Sequence, residues 1–77
     1  MNKFLSDLRA GEKGIVKKVM GNSLIKRRIV DMGVVSGSVV EVQKFAPLGD
    51  PMEVKIKGFN LSLRKAEAEM IEIEIIL

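Results

Sequence analysis

The chain has 77 residues, of which 13 are Lys or Arg, 10 are Asp or Glu and 47% are hydrophobic. A chain of this length forms one small domain, residues 1–77, with no room for a large buried substrate pocket. It has no Cys and no His, which excludes disulfides, thiolate or imidazole metal sites and Ser-His-Asp catalysis. The lack of Trp and Tyr, beside many Val, Ile and Leu, favours a mostly β barrel.

Charge and hydropathy indicate a cytoplasmic protein. No stretch approaches the ~20 apolar residues of a membrane helix, and the chain start lacks the apolar run of a signal peptide. All 13 basic residues lie within residues 1–65, whereas residues 66–77 carry four Glu and no base. A closed barrel would bring these regions together, so the net charge of +3 is weak evidence for nucleic-acid binding.

The first third of the chain predicts two short helical segments around one strand. Apolar spacing from Phe4 to Leu8 predicts a helical turn near residues 4–9, and Gly14 opens a predicted strand over residues 15–20. Asn22 and Ser23 are both suitable N-cap residues, and Gly33 supplies a stop. Apolar residues at helical spacing between them predict a helix over about residues 23–32: Leu24, Ile25, Ile29 and Met32.

After Gly37 the hydrophobic period changes to two, which predicts strands over residues 38–45, 52–57, 59–64 and 71–75. Phe59 is expected to alternate into the core, and Gly58 to mark a tight turn or a bulge. Residues 65–69 are too polar and alanine-rich for a strand and predict a helical turn. About five strands, each with one apolar face, predict a mainly β fold, a small SH3-like β-barrel with an inserted helix.

Four sequence segments, in this order and spacing, resemble the FeoA family of ferrous iron transport proteins. They are Arg27-Arg28-Ile29-Val30-Asp31-Met32-Gly33, then Gly37, then Ala46-Pro47-Leu48-Gly49-Asp50-Pro51, then Leu61-Ser62-Leu63-Arg64 with Glu67-Ala68. The resemblance covers about residues 5–75, although Ser36-Gly37 stands where the family often has Pro-Gly. It implies an SH3-like barrel and a cytosolic accessory role beside FeoB, the membrane ferrous iron transporter that carries a GTP-binding domain.

Six residues are candidates for binding a partner. On the predicted helix, a base three or four residues before an acid near the C-terminus is the less favourable order for an ion pair. The helix cluster therefore either docks a partner or pins the helix to the barrel, and at least two of its three basic residues must face solvent. Leu48 is predicted at the tip of a loop, where it is a candidate contact residue. Asp50, in the same loop, is expected to cap its own turn and not to bind an ion. The candidates are Lys26, Arg27, Arg28, Asp31, Leu48 and Asp50.

No catalytic residue, cofactor site or metal site is predicted. Ferrous iron usually takes nitrogen and carboxylate ligands together, and this chain has no imidazole. Glu72 and Glu74 share one side of a strand and are expected to pair with lysines such as Lys17 or Lys55. Weak iron binding by carboxylates stays open. No Walker-type phosphate loop is present, so the chain is not expected to be an enzyme.

The leading hypothesis is an interaction module that binds the cytosolic GTP-binding part of a FeoB-like transporter at the inner face of the membrane. The alternative is a small-barrel nucleic-acid binder, or another interaction module unrelated to transport. The apparent lack of exposed aromatic residues argues against nucleic acid and against a groove for proline-rich peptides. Homo-oligomer formation stays open.

Overall fold

A computed structural model describes residues 3–76, except the side chain of Ser23. Its elements are β1 (Lys3–Phe4), a 3₁₀ turn (Leu5–Asp7), β2 (Lys13–Val19), α1 (Ser23–Asp31), β3 (Val39–Phe45), β4 (Met52–Ile56), β5 (Phe59–Leu63), α2 (Lys65–Ala68) and β6 (Ile71–Ile76). The mainly β prediction is confirmed, and the predicted helix and both helical turns lie where they were expected.

The strands form one antiparallel sheet in the order β1-β6-β2-β3-β4-β5. The sheet therefore has six strands, one more than predicted. The additional strand, β1, pairs Lys3 with Ile73 and Phe4 with Glu72; two residues are too few to show a period of two. The sheet curls, with β1 and β5 as its two end strands.

The core lies inside the curled sheet and follows the alternation seen in the sequence. In β4, Met52, Val54 and Ile56 are buried, with half-buried Glu53 and exposed Lys55 between them. Leu5 from the 3₁₀ turn and Ala68 from α2 complete the core, and both are fully buried. Fully burying one aliphatic side chain contributes roughly 1.5–3 kcal/mol, so the small core depends on every inward position.

Helix α1 packs one narrow apolar face on the sheet. The Asn22 side chain accepts a hydrogen bond from the Ile25 N–H at 2.9 Å and caps the N-terminus. Ile29 is fully buried and Ile25 packs against the core. Leu24, in contrast, is 80% exposed, because at about 100° per residue it lies about 140° around the helix from Ile29 and so outside the narrow apolar face. Gly33, at φ 94°, ends the helical path.

Strands β4 and β5 form a hairpin with the two-residue turn Lys57-Gly58. Of the two alternatives predicted for Gly58, a tight turn or a bulge, the structure shows the turn. Both residues have positive φ, 52° for Lys57 and 83° for Gly58, as a type I′ turn requires. Ile56 and Phe59 face each other directly across it. Lys57 is the one non-glycine residue with positive φ in the part of the chain that the structure describes.

Candidate interaction surfaces

The basic side chains of α1 point outward. Lys26, Arg27 and Arg28 are all exposed, which confirms that at least two of them face solvent. Asp31 is also exposed, but within residues 3–76 it forms no salt bridge with Arg27 or Arg28. The intrahelical pairing considered from the sequence is therefore absent, as the unfavourable order of the charges suggested.

Arg28 instead joins α1 to α2. Its Nε lies 3.3 Å from Oε2 of Glu67. The other carboxylate oxygen of Glu67 accepts a hydrogen bond from the Arg64 N–H at 2.9 Å, which satisfies a backbone donor at the start of α2. The Arg28 side chain is 70% exposed and that of Glu67 only 11%. For Arg28, the structure thus supports pinning of the helix.

The loop from Ala46 to Pro51 presents Leu48 to solvent, as predicted, with 96% of the residue exposed. The Asp50 carboxylate accepts a hydrogen bond from the Lys65 N–H at 2.9 Å. The expectation that Asp50 caps its own turn is therefore wrong, because the fold brings the first turn of α2 within reach. Backbone bonds close the loop: Ala46 N–H donates to the Pro51 carbonyl.

Helix α2 consequently contacts both segments that were predicted to bind a partner. Glu67 forms an ion pair with Arg28 of α1, and the Lys65 N–H donates a hydrogen bond to Asp50 of the loop. The sequence analysis did not select Glu67. The same arrangement, in which a carboxylate accepts a hydrogen bond from the N–H of the residue three positions earlier, occurs elsewhere in this chain. Asp7 accepts a hydrogen bond from the Phe4 N–H at 3.0 Å. This three-residue spacing is the feature of the sequence from which Glu67 could have been selected.

The acidic strand β6 pairs with a lysine, as predicted. Lys17 Nζ lies 2.9 Å from Oε1 of Glu74, and this hydrogen bond, with the lysine charge, lowers the pKa of the Glu74 carboxyl below its ordinary value. Within residues 3–76, no three acidic side chains lie close enough together to hold a metal ion.

A cleft lies between the end of α1 and the β4–β5 hairpin. Its volume is about 320 Å³, and it is lined by residues 31–33 on one side and by hairpin residues between 56 and 61 on the other. We call it the β5 cleft. Phe59 lies on its lining and is 70% exposed, so the expectation that Phe59 enters the core is wrong.

Although Leu63 on the same face of β5 is fully buried, Phe59 is exposed because it lies beside the hairpin turn of this end strand. Its cross-strand partner Ile56 is buried, so the alternation identified the correct face of the sheet. Among the described residues, no strand lies beyond β5 in the sheet to shield this end of the face. A lack of exposed aromatic residues therefore no longer argues against nucleic acid, although the carboxylate of Asp31 on the cleft disfavours phosphate there.

No helix within residues 3–76 combines the length and apolar character needed to cross a bilayer.

A model of the FeoA domain family matches residues 3–75. The chain is 39% identical over 72 residues to a fusion protein of Fe(2+) transport protein A and the Fe(2+) transporter FeoB from Porphyromonas gingivalis. This match covers 94% of the chain but only 8% of the fusion protein.

Two solved structures share the fold closely. The FeoA-like protein of Clostridium acetobutylicum is 36% identical, with a TM-score of 0.93 over 99% of this chain and 88% of that one. The zinc complex of Stenotrophomonas maltophilia FeoA, described as a prokaryotic SH3 domain protein, is 28% identical, with a TM-score of 0.82 over 94% of this chain and 89% of that one.

Proposed function

Because the chain belongs to the FeoA family, we propose that it is a non-enzymatic cytosolic accessory protein of ferrous iron uptake. It binds the cytosolic part of a FeoB-type transporter at the inner face of the membrane and modulates the assembly or activity of that transporter. GTP hydrolysis and passage of the ferrous ion, which is the cargo, belong to the transporter.

The observation that carries the proposal is the fusion protein, in which a region 39% identical to this chain is joined covalently to a FeoB transporter. A covalent link holds two modules at high effective concentration, typically millimolar for short linkers. In the relative, this link keeps the FeoA region close enough to the transporter for their surfaces to meet.

The proposed contact surface comprises the predicted residues whose side chains form no hydrogen bond or ion pair with another residue in the described range 3–76. Lys26, Arg27 and Asp31 on α1 are exposed, and Leu48 stands out from its loop. Arg28 and Asp50, in contrast, hold α2 through Glu67 and the Lys65 N–H. We therefore assign direct contact to the first four residues, whereas Arg28 and Asp50 position the segments that carry them.

The experiment is a binding titration between this chain and the cytosolic domain of the FeoB-type transporter from the same organism, in nucleotide-free, GDP and GTP-analogue states. Arg27→Glu, Asp31→Lys and Leu48→Glu should each weaken binding roughly tenfold if they lie at the centre of the contact. Lys55→Glu is the matched control, since Lys55 is exposed on β4 and belongs neither to α1 nor to the loop.

Two results would contradict the proposal. Absence of binding in every nucleotide state would refute the function, and normal binding by all three folded variants would refute the assigned surface. An anaerobic calorimetric titration with ferrous iron tests the separate expectation that the chain holds no iron; micromolar binding at one-to-one stoichiometry would overturn it.

A further inference from the structure

Strand β5 has a free edge whose hydrogen-bonding groups can be identified. In a two-residue hairpin the residues flanking the turn exchange backbone hydrogen bonds, and bonded and non-bonded pairs then alternate along the strands. Phe59, Leu61 and Leu63 therefore bond to β4, where the pairing runs without a shift. The N–H and C=O groups of Asn60 and Ser62 point away from β4, and no other backbone segment within residues 3–76 bonds to them.

Apolar surface accompanies this edge. Phe59 is 70% exposed and Leu61 is half-buried, and both line the β5 cleft. The opposite wall includes Asp31, which is in the last turn of α1 and forms no salt bridge with a described residue. Carbonyl groups at a helix C-terminus carry partial negative charge, which adds to that of the carboxylate. The cleft therefore combines backbone donors and acceptors, apolar contact and a negative wall at Asp31, with the positive charge of Lys57 on the hairpin side.

Two residues of the β5 cleft are poor choices for stability alone. Asp31 is an acid at the negative end of a helix, where a base is preferred. Lys57 holds a φ of 52° at a turn position where Asn or Gly is preferred. Departures from local preference concentrate at functional sites in natural proteins. Here both departures flank the same exposed aromatic residue.

We propose that the edge of β5 is a strand-addition site, which takes an extended segment of a partner protein. The segment pairs its backbone with Asn60 and Ser62, places apolar side chains at alternate positions against Phe59 and Leu61, and carries a Lys or Arg that meets Asp31. A second copy of β5 fits less well, because the residues Phe59–Leu63 include no base.

This surface is distinct from the Leu48 loop. It shares Asp31 with the contact surface proposed above, but it does not require the transporter to be the partner. The probe is a library of random linear 12-residue peptides displayed on phage and selected on the folded domain. Selected peptides should alternate apolar and polar residues and contain a Lys or Arg. Failure to select any peptide, or selection of peptides without this pattern, would overturn the proposal.

Amide hydrogen exchange of the free and peptide-bound domain reports strand addition directly. In the free domain, the Leu61 amide should exchange slowly, while those of Asn60 and Ser62 should exchange fast. Bound peptide should slow the hydrogen exchange of the Asn60 and Ser62 amides at least tenfold. If bound peptide leaves these two amides fast, or protects the Leu48 loop instead, strand addition at β5 is refuted.

A matched pair of variants separates the backbone from the side chain. Ser62→Pro removes only an outward N–H, since Pro is tolerated where an edge N–H faces solvent, and should weaken peptide binding about five- to tenfold. Ser62→Ala keeps that N–H and should bind as the wild type does. Equal affinities of the two variants would contradict the proposal.

A second variant keeps the test decisive if Ser62→Pro fails to fold. Phe59→Ser should weaken binding roughly ten- to a hundredfold, whereas Leu24→Ser, which removes another exposed apolar side chain outside the cleft, should have no effect. Analytical ultracentrifugation tests whether a second copy of the chain occupies the edge. If the wild type is a dimer and Phe59→Ser is a monomer, a second copy, not a partner segment, covers the edge.

Discussion

Glu67 joins the start of α2 to α1, and replacing it with Ala should destabilise the domain by about 1–2 kcal/mol. Loss of the acceptor for the half-buried Arg64 N–H should cost about 1 kcal/mol, the usual effect of removing a helix cap. Loss of the pair with Arg28 adds less than about 1 kcal/mol, because the Arg28 side chain is 70% exposed and screened by water. For a domain of this size, the sum lowers the Tm by roughly 4–16 °C.

Thermal unfolding followed by circular dichroism measures this loss, and two further variants divide it. Glu67→Gln keeps an oxygen for the Arg64 N–H and loses the charge, so it should retain most of the stability. Arg28→Ala removes only the exposed pair and should lower the Tm by a few degrees. The reasoning is refuted if Glu67→Ala melts at the wild-type temperature, or if Arg28→Ala is as damaging as Glu67→Ala.

Three further changes test local features of the fold. Lys57→Asn creates the Asn-Gly pair that a type I′ turn favours and should raise the free energy of unfolding in urea by about 0.5–1 kcal/mol; an unchanged midpoint would contradict it. Gly14→Ala should destabilise by about 1–3 kcal/mol, because the new Cβ would lie 3.2 Å from the Glu74 carbonyl oxygen; urea unfolding would show a lower midpoint, and an equal one would refute the close contact. The pair with Lys17 lowers the pKa of Glu74 in the folded state, so its stabilisation is complete above the ordinary carboxyl pKa and disappears as the pH falls through the lowered value. Glu74→Gln should therefore lose less stability on acidification than wild type, and parallel curves of Tm against pH would contradict this.

Alternation in the sequence identifies which face of a strand is apolar, but not whether another element covers that face. In β4 the apolar face is also the covered face, since Val54 and Ile56 are buried as their spacing predicts. In β5 the same spacing places Phe59 on the correct face, yet it remains exposed at the end of the sheet. Whether a strand is central or terminal depends on contacts between residues far apart in sequence, which periodicity does not contain.

The candidate residues show the same limit. Exposure of Arg27 and Leu48 followed from helix geometry and from the loop composition. The roles of Arg28 and Asp50 did not, because each contacts a residue well separated in sequence, Glu67 and Lys65 respectively. Such contacts exist only after the sheet has brought α2 beside α1 and the loop, so residue types alone could not separate a docking charge from a structural one.

A small domain can accept few locally unfavourable residues, since its whole stability is a few kcal/mol. Asp31 at the end of α1 costs about 0.3–1 kcal/mol against a neutral residue, and Lys57 adds a left-handed backbone that costs about 1 kcal/mol. Both contribute to the same cleft as the exposed Phe59. If these costs serve binding, Asp31→Asn must stabilise the free domain and also weaken its complex with a basic peptide. A variant that is both more stable and equally competent would show that selection has not acted on this cleft.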